Sequence, residues 1–179
     1  VGGRYYMVDC GMEQGTDVFQ NIPLPVNAAD IEAVFVTHAH IDHTGMLPKL
    51  YKDGFKGPIY ATHATCDLCN IMLRDSAHIQ ESEAQWRSRK AERAGEPLAE
   101  PTYTVNDALA AIKLLRPVRY GEQLQVAEGI DLRMTDVGHL LGSAAVELWL
   151  TEKGETRKIV FSGDVGNVNQ PLLNDPKTV

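Results

Sequence analysis

The stretch "VTHAHIDHTG", residues 36–45, places His38, His40, Asp42 and His43 within six consecutive positions. In an extended segment alternate side chains point the same way, so His38 and His40, leaving the apolar run "AVFVT", can reach one ion together. Asp42 and His43 are adjacent and stand where the chain turns into a following helix, so they point elsewhere and can reach a second ion beside the first. Imidazole and carboxylate suit zinc, manganese or iron, and no cysteine lies in the cluster to select a closed thiolate site. The cluster reads as an open metal site.

Two ions need more donors than four residues provide. His139, between glycines in "MTDVGHLLGSA", and Asp164, after an apolar strand in "IVFSGDVG", offer them from loops where glycine permits close approach. A carboxylate such as Asp164 can bridge two metals, although an aspartate between a strand and a glycine is equally often a plain turn former. Asp9 in "RYYMVDCG", which a β-branched and aromatic strand delivers to its end, is by position a routine turn former before Cys10 and Gly11.

Around these residues the pattern alternates. "AADIEAVFVTH" runs a short helical turn into a buried strand, Ala33 to Thr37, "TGMLPKLYKDG" fits a short helix stopped near Gly54, and "GPIYATH" fits the next strand. Residues 71 to 115 read as a helical excursion, with Asn106 and Asp107 as capping residues of its last helix. Strands return in "RYGEQLQVAEGIDLRMTDVGH" and in "AAVELWLTEKGETRKIVFSGD", with a hairpin turn at Glu152 to Glu155. The order predicts an α/β layered architecture.

Composition sets the outer limits. A chain of 179 residues with 44% hydrophobic residues can bury one sizeable core. No run approaches the roughly 18 to 20 apolar residues of a membrane span, and "VGGRYYMVDCG" lacks a signal-peptide layout, so no membrane association and a cytoplasmic location are expected. Three cysteines, Cys10, Cys66 and Cys69, are too few and odd in number for a disulfide framework. The net charge of −7 argues against gripping nucleic acid with the whole surface, yet bound divalent ions can meet a phosphate where the protein is acidic. The basic run "RSRKAER" is diluted by Glu81, Glu83 and Glu92 and reads as a solvated helix face.

The set Asp9, "HAHIDH", His139 and "SGD" resembles the metallo-β-lactamase superfamily, and "ATHATCDLCNIMLRDSAHIQ" with "GHLLGSAAVEL" resembles its β-CASP branch of RNA- and DNA-processing nucleases. The likeness covers nearly the whole chain. It implies a metallo-β-lactamase-like αββα sandwich, incomplete here, in which residues 1–179 form the N-terminal part and a β-CASP cap and C-terminal part are absent. It implies one zinc held by His38, His40 and His139, a second held by Asp42 and His43, Asp164 bridging the two, and Asp9 orienting the histidine loop. Asp42 and Asp164 would be the catalytic carboxylates around a bridging hydroxide. The second ion would lack a ligand that the family takes from further along the chain.

The resemblance implies a zinc-dependent phosphodiester hydrolase, with RNA, or else DNA, as substrate. The alternatives are a hydrolase of thioesters, lactams or small phosphodiesters, and a catalytically silent nuclease-like scaffold. Exposed sheet edges would allow a homodimer.

Overall fold

The computed structural model describes residues 1–13 and 23–179. Its first half builds a parallel sheet from β1 (Tyr5–Val8), β2 (Ile31–Phe35), β3 (Ile59–Thr62) and β4 (Leu115–Val118), adjacent in that order. Between β2 and β3 lie the short helices α1 (Ile41–Thr44) and α2 (Leu47–Lys52), and between β3 and β4 lie α3 (His63–Ala94) and α4 (Val105–Ile112). The second half is an antiparallel meander of β5 (Gln123–Ala127), β6 (Ile130–Asp136), β7 (Ala144–Glu152) and β8 (Glu155–Phe161).

Alternation along β2 explains the layering. Val34 and Val36 point into a core shared with Leu47, Leu50, Cys69 and Leu73 from the helices, whereas Ala33 and Phe35 point into a second core with Leu132, Met134, Val146 and Leu148 of the antiparallel sheet. A strand buried on both faces must be apolar throughout, as "IEAVFV" nearly is. Across the inter-sheet face Phe35 stacks between Tyr6 and Tyr60, at centroid distances of 6.4 and 5.8 Å. Truncating Phe35 to alanine there would cost about 3–5 kcal/mol.

These are three layers of the expected sandwich: helices, parallel sheet, antiparallel sheet. Among the described residues the second core contains no helix residue. The outer face of the second sheet is instead polar, centred on Glu147, which is fully buried under its partners. Arg133 grips both its oxygens at 2.8 and 2.7 Å, Thr135 donates at 2.6 Å and Lys158 lies 2.5 Å away. Arg133 and Lys158 also flank the ring of Trp149.

The helical excursion begins at His63, not at residue 71. Thr62 ends β3 and its hydroxyl accepts the amide of Thr65 at 3.3 Å, so a residue type that favours strands acts as a helix cap. The last helix is capped by Thr104 rather than by Asn106, and Asp107 completes a capping box with it. The hairpin turn between β7 and β8 falls at Lys153 and Gly154, inside the expected span. Trp86 and the basic run stand on the outer half of α3, with Trp86 62% exposed. No described helix is long and apolar enough to cross a membrane.

Candidate metal centre

The parallel strands release their carboxyl ends at one edge, and β6 and β8 end at the same edge. Asp9 follows β1, residues 36–43 follow β2, His139 follows β6 and Asp164 follows β8. The histidine loop is held by its own backbone: Cys10 N–H donates to the His43 carbonyl at 2.7 Å and Met12 N–H to that of Ile41 at 2.9 Å. Gly11 makes this approach possible, since a Cβ there would fall 1.6 Å from the Asp42 carbonyl oxygen.

Asp9 sits at φ 57°, a left-handed conformation costly for a residue with a side chain. The turn aims its carboxylate under the loop, where it accepts the Thr37 amide and the Thr37 hydroxyl, each at 2.8 Å, and contacts His43 Nδ1 at 2.8 Å. With its proton given to Asp9, the Thr37 oxygen is left to accept from His38 Nδ1 at 3.0 Å. Both rings thus carry their proton on Nδ1 and present a bare Nε2. Thr37 escaped the sequence reading although it directly precedes His38; its hydroxyl was the available signal.

Three of the predicted donors converge on one point with a carboxylate. His38 Nε2 lies 3.0 Å from His40 Nδ1, which lies 3.3 Å from His139 Nε2; Asp164 Oδ2 is 3.8 Å from His38 Nε2 and 3.6 Å from His139 Nε2. All four donor atoms lie within 4.8 Å of one another. A tetrahedron with metal–ligand bonds of roughly 2.0–2.1 Å has edges of about 3.3 Å, so the spacing fits a small divalent ion. His38 is fully buried, and burial, followed by the neighbouring His43 and His40, lowers its pKa to about 4, which keeps the ring in its ligating neutral form.

A second group lies beside the first. His43 Nε2 is 3.5 Å from Asp164 Oδ1 and 3.9 Å from Asp42 Oδ2. The Asp164 carboxylate therefore turns one oxygen toward each group. Asp42, with its side chain 64% exposed, stands at the mouth.

The other two histidines and the cysteines fall elsewhere. His63 opens α3 and His78 lies exposed along it. Cys66 and Cys69 share that helix, and burial raises their thiols to about 11 and about 12, as it raises Cys10 to about 12. Such thiols are protonated and unreactive at neutral pH.

Residues 1–178 match the sequence profile of the metallo-β-lactamase superfamily. The chain belongs to that superfamily. Metallo-β-lactamase family membership implies divalent-metal binding, and the donor set above is chemically suited to it. Among curated relatives, Ribonuclease TTHA0252 of Thermus thermophilus is 38% identical over 176 residues, covering 98% of this chain and 36% of that protein. Transcription termination factor FttA of Methanocaldococcus jannaschii is 30% identical over 170 residues, covering 93% of this chain and 24% of that one. The chain thus spans about a third or less of the length of these relatives. A solved metallo-β-lactamase of Cronobacter sakazakii is 18% identical, with a TM-score of 0.48 over 84% of this chain and 45% of that chain.

Proposed function

We propose that this chain is the N-terminal part of a β-CASP nuclease and carries the dinuclear zinc centre of a phosphodiester hydrolase that cleaves RNA in the cytoplasm. The observation that carries the reading is the divided carboxylate of Asp164, one oxygen 3.6 Å from His139 Nε2 and the other 3.5 Å from His43 Nε2. A structural zinc site encloses one ion with four protein donors; a paired site opening toward solvent leaves positions for substrate and water. The names of the relatives, a ribonuclease and a transcription termination factor, support RNA as the substrate over a lactam or a thioester.

In this reading His38, His40 and His139 would hold one ion, Asp42 and His43 the other, and Asp164 would serve both. The ions, when bound, supply Lewis acidity for an in-line displacement at phosphorus and lower the pKa of water. The protein's own groups do the rest. Asp9 and Thr37 keep Nδ1 of His38 and His43 protonated and fix their ring planes. Asp42, exposed at the mouth, orients the attacking water and accepts its proton.

The test is cleavage of a labelled single-stranded RNA by the full chain loaded with zinc, beside the same sequence as DNA, a β-lactam and a thioester. RNA cleavage abolished by a chelator and by His40→Ala is the expected result. Turnover of the lactam or thioester alone would replace the nuclease reading, and RNA binding without cleavage by protein carrying both ions would favour a scaffold.

A further inference from the structure

His139, like Asp164, is a proposed ligand far from the histidine loop in sequence, and its loop is pinned by residues that touch no donor atom. The Ser143 hydroxyl oxygen accepts the amides of His139 and Leu140 at 3.0 and 3.2 Å. One residue earlier, the Gly142 carbonyl accepts two hydroxyls from the start of α3, Thr62 Oγ1 at 2.6 Å and Thr65 Oγ1 at 2.9 Å. Tyr120 donates to the Ser143 carbonyl at 2.8 Å, and the Ala144 amide donates to the Thr37 carbonyl at 2.8 Å.

The contact is a fitted one. Gly142 adopts φ +92°, and a Cβ there would meet Thr65 N at 2.5 Å and Thr62 Oγ1 at 2.9 Å. Thr62 and Thr65 are 3% and 0% exposed, so neither hydroxyl can turn to water, and loss of either weakens the grip on a buried carbonyl. A helix cap would need only the Thr62 oxygen as acceptor; here both hydroxyls also lie within hydrogen-bond distance of the Gly142 carbonyl, the Thr62 contact at 2.6 Å being shorter than its 3.0 Å contact with Thr65 Oγ1.

We propose that Thr62 and Thr65 are positioning residues for His139: they clamp the Gly142 carbonyl so that His139 Nε2 is held at ligand distance from His40 and Asp164. The proposal rests on the reading of His139 as a metal ligand. Groups that orient metal ligands from behind are typically worth about 10- to 100-fold in metal affinity, and this clamp, acting through three residues of backbone, belongs at the lower end.

The experiment is titration of the metal-free full chain with cobalt(II), following its visible absorption, and with zinc against a competing chelator. Thr65→Val removes the hydroxyl at nearly constant volume, and Thr65→Ser keeps it. Thr65→Val is expected to weaken binding about tenfold and to alter the cobalt spectrum, with Thr65→Ser restoring both. A merely structural role would lower the unfolding temperature of the metal-free protein and leave the spectrum of the bound cobalt unchanged, which overturns the proposal. Should Thr65→Val fail to fold, Tyr120→Phe reads the same quantities at the neighbouring carbonyl, with a smaller shift in the same direction expected and none overturning it. Wild-type protein that binds neither ion would overturn the ligand reading together with the clamp, whereas tight binding by wild type and Thr65→Val alike, with one spectrum, overturns the clamp alone.

Discussion

The carboxylate of Asp9 meets Nδ1 of His43 at 2.8 Å, and this contact leaves Nε2 as the nitrogen that His43 would offer to a metal. The same carboxylate receives the Thr37 hydroxyl, so one half-buried acid sets two rings. Asp9→Ala is expected to weaken zinc binding by about 10- to 100-fold, most strongly at the position served by His43. Competitive chelator titration checks it; unchanged affinity would show that the rings are set by other contacts.

Thr37 makes a narrower prediction. Thr37→Val removes the acceptor of His38 Nδ1 but keeps the shape, and on the order of tenfold weaker metal binding is expected, with Thr37→Ser close to wild type. Isothermal titration of the three proteins separates loss of the hydroxyl from loss of packing.

Gly11 allows no side chain, because a Cβ would overlap the Asp42 carbonyl. Gly11→Ala must push the histidine loop away from β1, at about 2–3 kcal/mol of stability and with loss of the amide contacts to His43 and Ile41. Denaturant unfolding measures the first effect and metal stoichiometry the second.

Glu147 gives the pH prediction. Hydrogen bonds from Arg133 first, and then from Lys158 and Thr135, lower its pKa from 4.5 to about 2 against the opposing effect of burial. The folded-state value lies below the unfolded one, so the stabilisation is full above about pH 4.5 and fades as pH falls toward about 2. Because Arg133 and Lys158 reach solvent, about 2 kcal/mol is expected at neutral pH. Glu147→Gln should lose that amount at pH 7 and progressively less in acid, measured by urea unfolding across the range.

The sequence made the candidate metal cluster legible because four of its residues, His38, His40, Asp42 and His43, fall within six positions, and the two distant ones, His139 and Asp164, each sit at a strand end marked by glycine. The parts that escaped depend on pairs distant in sequence. Thr62 and Thr65 reach Gly142 across about eighty residues. Nothing in "ATHAT" distinguishes a strand end from a cap until the fold brings the His139 loop alongside. The layering was readable from the order of strands and helices along the chain.

The most direct test of the account is tightly held metal per chain, by elemental analysis after loosely bound ions are stripped, in wild type and His40→Ala. The account predicts about two zinc ions in wild type and loss of at least the ion of the first donor group in the variant, because His40 Nδ1 stands between His38 and His139 in that group. Wild-type protein without tightly held metal, or a His40→Ala variant that retains the full complement, would contradict it.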